Sequence, residues 1–254
     1  MAVSLGLTPD GAWSAPLPEV LNAAATAGFS SLGLSGQAAS REVREAYQEA
    51  HLFCDEILAL VITEDDESVL TQAQVLAEAA SIMSAPFILT VYATPLNDAS
   101  GSLIKTAAEI FATGGARMAV EFSPLGPIST LALALEVVEA AGGVARAGAM
   151  IDSWHFLVGE STFADLESMP LEAISYVQFS DALPPESEKL GRETMKRRTM
   201  PGAGVLELDR FATTLLERGF DGLVSLEILS EAWRERTVSE FARAAFDASA
   251  PYWQ

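Results

Sequence analysis

Four apolar runs from residue 118 onward each carry an acid or amide near their end. Glu121 interrupts MAVEFS (118–123), Asp152 interrupts GAMIDSWH (148–155), Gln178 interrupts YVQFSD (176–181) and Glu227 interrupts VSLEI (224–228). Successive side chains of a strand face opposite ways. If Val120 and Phe122, Ala149 and Ile151, Val177 and Phe179, and Leu226 and Ile228 face outward under helices, the four polar residues point inward. Three carboxylates and an amide converging in a low-dielectric mouth raise one another's proton affinity, and an unpaired buried carboxylate is costly. A bound divalent cation removes both problems. Taken singly, each residue reads as a polar strand end satisfied by backbone N–H groups or by Arg and Lys. Four on successive strands with common parity point to a metal site.

Other residues could act beside that centre. His155 lies three positions beyond Asp152, on the loop leaving the strand, and an imidazole with an ordinary pKa of about 6.5 suits acid–base work or a hydroxyl contact. The only other histidine, His51, follows a helix in a polar stretch and reads as surface or packing. From Ser180 to the helix near Leu208 no strand is expected, and a loop of that length is a lid or a binding loop. It holds five of the fifteen basic residues, Lys189, Arg192, Lys196, Arg197 and Arg198. Such a concentration suits a cationic lid over an anionic or polyhydroxylated substrate, although Lys196 and Arg197 also fit a solvated helix end. Trp13, Trp154, Phe156 and Trp233 fall near strand ends and could wall a sugar-sized pocket, with Trp154 taken as a substrate-side residue; aromatic residues at such borders more often pack. The acids Glu64, Asp65, Asp66 and Glu67 read as charges favoured by a helix N-terminus rather than as a second metal site. No Walker loop, zinc-type Cys/His spacing or G-x-S-x-G turn is found.

The elements that must position these residues follow a regular beat of apolar run, turn and Ala/Leu-rich helix. Strands are expected at 3–7, 31–34, 57–63, 87–93, 118–122, 147–152, 174–179 and 223–228, and helices at 17–27, 68–83, 102–112, 128–141, 208–218 and 238–246. Gly28, Gly115, Gly142 and Gly219 fall where helices should stop. Eight units of about 32 residues match a βα repeat. The first βα turn, GLTPDGAW, lacks the G-x-G-x-x-G of a doubly wound nucleotide fold. The expectation is therefore an α/β fold, one (β/α)8 TIM barrel covering 1–254, with the four polar strand ends on the rim that holds active sites in this fold.

The chain has 254 residues, half of them hydrophobic, and a net charge of −20. That charge opposes nucleic-acid and anionic-membrane partners. One cysteine, Cys54, allows no internal disulfide, and the N-terminal residues lack a basic signal-peptide region. A cytoplasmic protein is expected, with a small-molecule substrate and with room for a homo-oligomer.

The segments MAVEFSP, GAMIDSWHF, ISYVQFSDA, RRTMPGAG and LVSLEI resemble the xylose isomerase-like barrel superfamily of sugar-phosphate isomerases and epimerases, which also holds inosose and dehydroshikimate dehydratases and an endonuclease IV branch. The resemblance runs from about Ala116 onward; the first half matches in its strand–helix beat alone. It implies that Glu121, Asp152, Gln178 and Glu227 are metal ligands, that Glu121 and Glu227 are also the catalytic acid–base pair, and that His155 and Arg198 contact substrate. Many members have His where this chain has Gln178; certain dehydratases resemble the Gln variant. An all-oxygen set favours Mn2+ or Mg2+, with Co2+ or Zn2+ as alternatives. The implied reaction is isomerisation or epimerisation of a small polyhydroxy carbonyl compound through an enediolate, with dehydration of a cyclic keto-polyol such as inosose or dehydroshikimate as the alternative. The endonuclease branch uses a His-rich cluster, which two histidines cannot supply. A metal-binding scaffold without catalysis is the remaining class.

Overall fold

Apolar β-rich runs and amphipathic helices alternate along the chain, and the sheet they build closes on itself. The computed structural model describes residues 3–253; the first two residues and the last, which the expected 1–254 span includes, lie outside the described residues. The strands are β1 (Ser4–Leu7), β2 (Ser31–Leu32), β3 (Leu34–Ser35), β4 (Glu56–Ile62), β5 (Phe87–Tyr92), β6 (Arg117–Glu121), β7 (Ala147–Asp152), β8 (Ile174–Phe179), β9 (Asp181–Ala182), β10 (Arg198–Thr199) and β11 (Leu223–Leu226). Nine of them form one parallel sheet in the order β2-β1-β11-β8-β7-β6-β5-β4-β3. Its two ends, β2 and β3, are parts of one extended segment split only at Gly33, so the sheet is a barrel of eight chain segments, the (β/α)8 TIM fold expected.

The inward–outward parity is the expected one. Val120, Phe122, Ala149, Ile151, Val177, Phe179, Leu226 and Ile228 join the large core between sheet and helices. A separate cluster of Leu89, Ala119, Met150 and Tyr176 fills the barrel interior. Two residues beyond Ala119, Met150 and Tyr176 stand Glu121, Asp152 and Gln178, continuing the inward columns to the rim.

The covering helices are α1 (Leu17–Ala27), α2 (Arg41–Glu49), α3 (Asp66–Met83), α4 (Asp98–Thr113), α5 (Leu131–Ala140), α6 (Ser153–Val158), α7 (Phe163–Ser168), α8 (Leu190–Lys196), α9 (Leu208–Glu217), α10 (Glu231–Arg234) and α11 (Val238–Ser249). Asp65 caps α3 by accepting from the Ser68 N–H, which gives the acidic run the helix-end role expected of it. The first and last helices meet through Phe29 and Phe246, packed edge to face at 5.3 Å.

Two expectations need correction. The segment after β8 is not strandless: β9 and β10 pair antiparallel, with α8 between them, because a chain that leaves the sheet and returns beside itself must satisfy its buried backbone groups. And His155 does not lie on a loop. It belongs to α6, which starts directly at the strand end because Asp152 is its N-cap, accepting from the His155 N–H at 3.0 Å.

A polar layer lies inside the barrel. Glu56, with no solvent exposure, accepts hydrogen bonds from Thr8, Ser225 and Tyr176, which come from three other segments. Burial first, and then the neighbouring Asp55 charge, push its pKa up to about 7. Room for it comes from Gly33, where a Cβ would stand 2.6 Å from the carboxylate Oε1 and 2.9 Å from Cγ. Replacing Gly33 with Ala should destabilise the fold by about 1–3 kcal/mol, as overpacking does. A urea-denaturation midpoint equal to that of the parent chain would show the interior to be looser than described.

Candidate active site

Each rim residue sits where strand parity puts it, and its setting is electrostatic. Asp152 has a side chain with no exposure. Its Oδ1 is the α6 cap, and its Oδ2 lies 2.6 Å from Nη1 of Arg198. The same nitrogen is 3.2 Å from Glu227 Oε2 and 3.3 Å from the Glu227 carbonyl oxygen. Arg198 is 1% exposed. Its Nε and Nη2 both donate to Thr194 Oγ1, at 3.1 and 2.8 Å, and its guanidinium lies 5.5 Å from the Trp154 ring centroid. Trp154 in turn meets His155 edge on at 5.3 Å.

On the other side of the mouth, His155 Nε2 is 3.0 Å from Glu121 Oε1, and its Nδ1 is 3.1 Å from Ser123 Oγ. The Asp-x-x-His spacing thus has a local cause. A strand-end Asp that caps the next helix puts the residue three positions on in the first turn, folded back over the rim. Around the barrel, Glu121 on β6 and Glu227 after β11 are separated by β7 and β8. A cavity of about 200 Å3, lined in part by Tyr92, Glu121 and Ser123, opens beside Glu121.

These contacts set the proton affinities. Burial works against the Asp152 carboxylate, but Arg198 and His155 outweigh it and hold its pKa below the usual range. Burial likewise opposes a charged His155, but Asp152 and the Glu121 hydrogen bond overcome it and raise the imidazole pKa. Glu227 goes the other way: burial, together with Asp152, Glu121 and Glu56, outweighs the attraction of Arg198 and pushes it up to about 8. The mouth therefore favours charge on Asp152 and on His155 and the neutral acid form of Glu227.

Gln178 is fully buried, level with Asp152 and Ser225 on the flanking strands, and neither its Oε1 nor its Nε2 has a partner. A buried amide oxygen without a donor is an open acceptor. With Glu121, Asp152 and Glu227 it makes an all-oxygen donor set whose chemistry fits a hard divalent cation. As the side chains stand, no three His, Cys, Asp or Glu groups among the described residues are close enough to share an ion, and Arg198 is the countercharge of Asp152 and lies against Glu227.

The basic residues of the segment after β8 divide. Arg192 pairs with Glu186, Arg197 with Glu186 and Glu193, and Lys196 with Glu231, so these three are locally neutralised rather than free to form a cationic lid. Arg198 alone of these four reaches the rim acids. Sequence reasoning missed what brings it there. Asp181 accepts from the N–H groups of Gly202, Gly204 and Leu206, so the Pro-Gly-Ala-Gly turn wraps around its carboxylate, and Thr194, four residues before Arg198, anchors the guanidinium. Glu56 was also passed over, because it stands at a strand start rather than a strand end. Its signal was an acid at the head of an otherwise apolar run, EILALVI.

The model of the family described as xylose isomerase-like TIM barrel matches residues 21–245. An inosose isomerase of Halalkalibacterium halodurans is 26% identical over 223 residues, covering 82% of this chain and 78% of the relative. The structure of the IolI protein with a bound zinc atom superposes with a TM-score of 0.87 at 19% identity, over 98% of both chains. The probable 3-DHS dehydratase AsbF of Bacillus anthracis gives 0.80 at 14% identity, over 98% of this chain and 99% of its own. At those identities the two structures establish likeness of fold.

Replacing Arg198 with Met leaves the buried Asp152 carboxylate without its countercharge and should cost about 3–5 kcal/mol of stability, read from urea denaturation; a loss under about 1 kcal/mol contradicts the pairing. The pH dependence has a definite sign. The folded-state pKa of Glu227, about 8, is above its ordinary 4.5, so its stabilising contribution is complete below pH 4.5 and is lost as pH rises through 8. Denaturation midpoints of the parent should fall relative to those of Glu227→Gln over that interval, and parallel curves would mean that Glu227 is not held protonated.

Proposed function

We propose that this chain, which belongs to the xylose isomerase-like TIM barrel family, is an isomerase or epimerase of a small polyhydroxy carbonyl compound that works by proton transfer through an enediolate. The observation that carries the reading is a pair of carboxyl groups across the mouth in unlike surroundings: Glu121 lies 3.0 Å from the His155 imidazole, and Glu227 is held by burial and by neighbouring acids at a pKa of about 8. Two carboxyl groups whose surroundings separate their proton affinities are a base and an acid. In this scheme Glu121 removes a proton from the carbon beside the carbonyl, while His155 and Arg198 donate hydrogen bonds to the oxygens on which negative charge builds. Glu227 returns a proton from the other side. Delivery to the neighbouring carbon, with the hydroxyl proton passing from one enediolate oxygen to the other, isomerises, and delivery to the opposite face of the same carbon epimerises. Trp154 supports the arrangement by packing under Arg198.

Glu121, Asp152, Gln178 and Glu227 are the residues that would hold a divalent cation. When bound, the ion would polarise the carbonyl as a Lewis acid. Oxygen donors favour Mg2+ or Mn2+; because IolI carries zinc, Zn2+ belongs in the same comparison, as does Co2+. The same reading takes the chain as one barrel domain acting in the cytoplasm on a small molecule, without nucleic-acid or membrane partners and compatible with a homo-oligomer. Among the described residues no helix is long and apolar enough to cross a membrane.

A dehydratase reading draws on the same observation, since a neutral Glu227 could protonate a departing β-hydroxyl as readily as a carbon. Product identity separates the two. The relative named an inosose isomerase makes inososes the first substrates to assay, followed by a ketose panel and dehydroshikimate, with chelated protein and protein loaded with each metal. Glu227→Gln should lower kcat at least about a hundredfold with the fold retained, in keeping with loss of a general acid. Full turnover in that variant, or no turnover of any of these compounds under any metal condition, counts against the proposal.

A further inference from the structure

Most helix ends in this chain that enter the left-handed region do so with glycine: Gly28, Gly115, Gly142 and Gly219 have φ between 82 and 111°. The ends of α2 and α3 depart from that habit. They place His51 and Ser84 there, both at φ 57°, and these are the only non-glycine residues with positive φ among the described residues. A Cβ in that region carries a steric cost that glycine avoids. His51 and Ser84 bear that cost, and each carries a polar side chain.

Both line one cavity of about 610 Å3, where the chain enters β4 and β5, at the end of the barrel opposite the rim. Three other residues of its lining stand out. Phe53 is 75% exposed, more than any other large apolar side chain described. Arg44, exposed on α2, uses Nη1 on the Ile82 carbonyl at 3.1 Å and has donors left. Asp55 is 6% exposed; its Oδ2 accepts from Ser31, while its Oδ1 is buried with no partner. Arg44, His51 and Ser84 can all donate to an anion, the Phe53 ring offers a flat face, and Asp55 has a free acceptor for a ring N–H or O–H. A chain of charge −20 repels anions in general, so holding one here depends on these local donors.

We propose that this cavity is a second ligand site, for a small planar anion: an aromatic or heterocyclic ring that carries a phosphate or carboxylate. The ring stacks on Phe53, its polar edge donates to Asp55, and its anionic group meets Arg44, His51 and Ser84. The volume falls within the roughly 300–1,000 Å3 of small-molecule sites. Since rim chemistry plays no part in this assignment, it stands or falls separately from the isomerase reading.

Calorimetric titration of the full chain tests it, with guanosine monophosphate, 4-hydroxybenzoate and inorganic phosphate as probes and with the parent, Arg44→Ala, Phe53→Ala and His51→Gly proteins. At least one ring-bearing anion is expected to bind saturably, with phosphate at least about tenfold weaker, and which one binds separates a nucleotide from an aromatic acid. Arg44→Ala and Phe53→Ala should each weaken that binding at least about tenfold, the loss of one charged or stacking contact. His51→Gly should weaken it too while leaving Tm unchanged or higher, because glycine relieves the left-handed backbone. The proposal is overturned if neither ring-bearing anion binds, if phosphate alone binds as tightly, or if the three variants bind like the parent.

Discussion

Arg198 is the only guanidinium among the described residues buried to within 1% of complete exclusion from solvent, and it lies between two acids that the strands deliver to the barrel mouth. Burying an uncompensated carboxylate costs several kcal/mol after relaxation, and the same holds for the cation. Neither Asp152 nor Arg198 could occupy its place without the other. Much of the second half of the fold serves this meeting. The chain leaves β8, turns through α8, and returns as β10, with Asp181 gripping the Pro-Gly-Ala-Gly turn and Thr194 anchoring the guanidinium. Eight extended segments bring the acids together, and one excursion supplies the base.

From that pairing the rest of the mouth follows as a charge balance. With Asp152 matched by Arg198 and Glu121 matched by His155, Glu227 is left as the group for which ionisation is least favourable, and it stays protonated near neutrality. Beneath it the barrel interior holds another carboxyl, Glu56, which also raises Glu227, so the acidity of the rim is influenced by a layer no substrate touches. The proposed acid–base chemistry needs this asymmetry. Two carboxylates in equal surroundings could not divide the work of taking and returning a proton.

Much of this could be read from the sequence because strand parity is a local rule. Apolar residues flanking Glu121, Asp152, Gln178 and Glu227 determine which way those side chains point, and no tertiary information is needed for that. The barrel was legible for the same reason, since a βα beat of about 32 residues without a nucleotide-binding turn leaves few architectures. What escaped depends on contacts distant in sequence. Arg198 reaches Asp152 across 46 positions and Tyr176 reaches Glu56 across 120, and no spacing encodes either. The neutralised bases of the segment after β8 show the limit from the other side: composition suggested a cationic lid, while Glu186, Glu193 and Glu231 turn out to be interleaved with those bases in space. His155 was placed on a loop because a helix that starts on the last residue of a strand leaves no turn signature other than the capping Asp itself.

The central functional claim is that the carbon beside a carbonyl exchanges its proton with the protein and hence with solvent. Turnover of an inosose in deuterium oxide, followed by NMR of product and recovered substrate, measures this directly. The account predicts deuterium at the carbon to which Glu227 returns the proton, the neighbouring carbon on isomerisation or the same carbon on epimerisation, with incorporation abolished in Glu121→Gln. Product formed at an undiminished rate with no deuterium at that position would contradict it, because the hydrogen would then have moved without passing through an exchangeable acid or base.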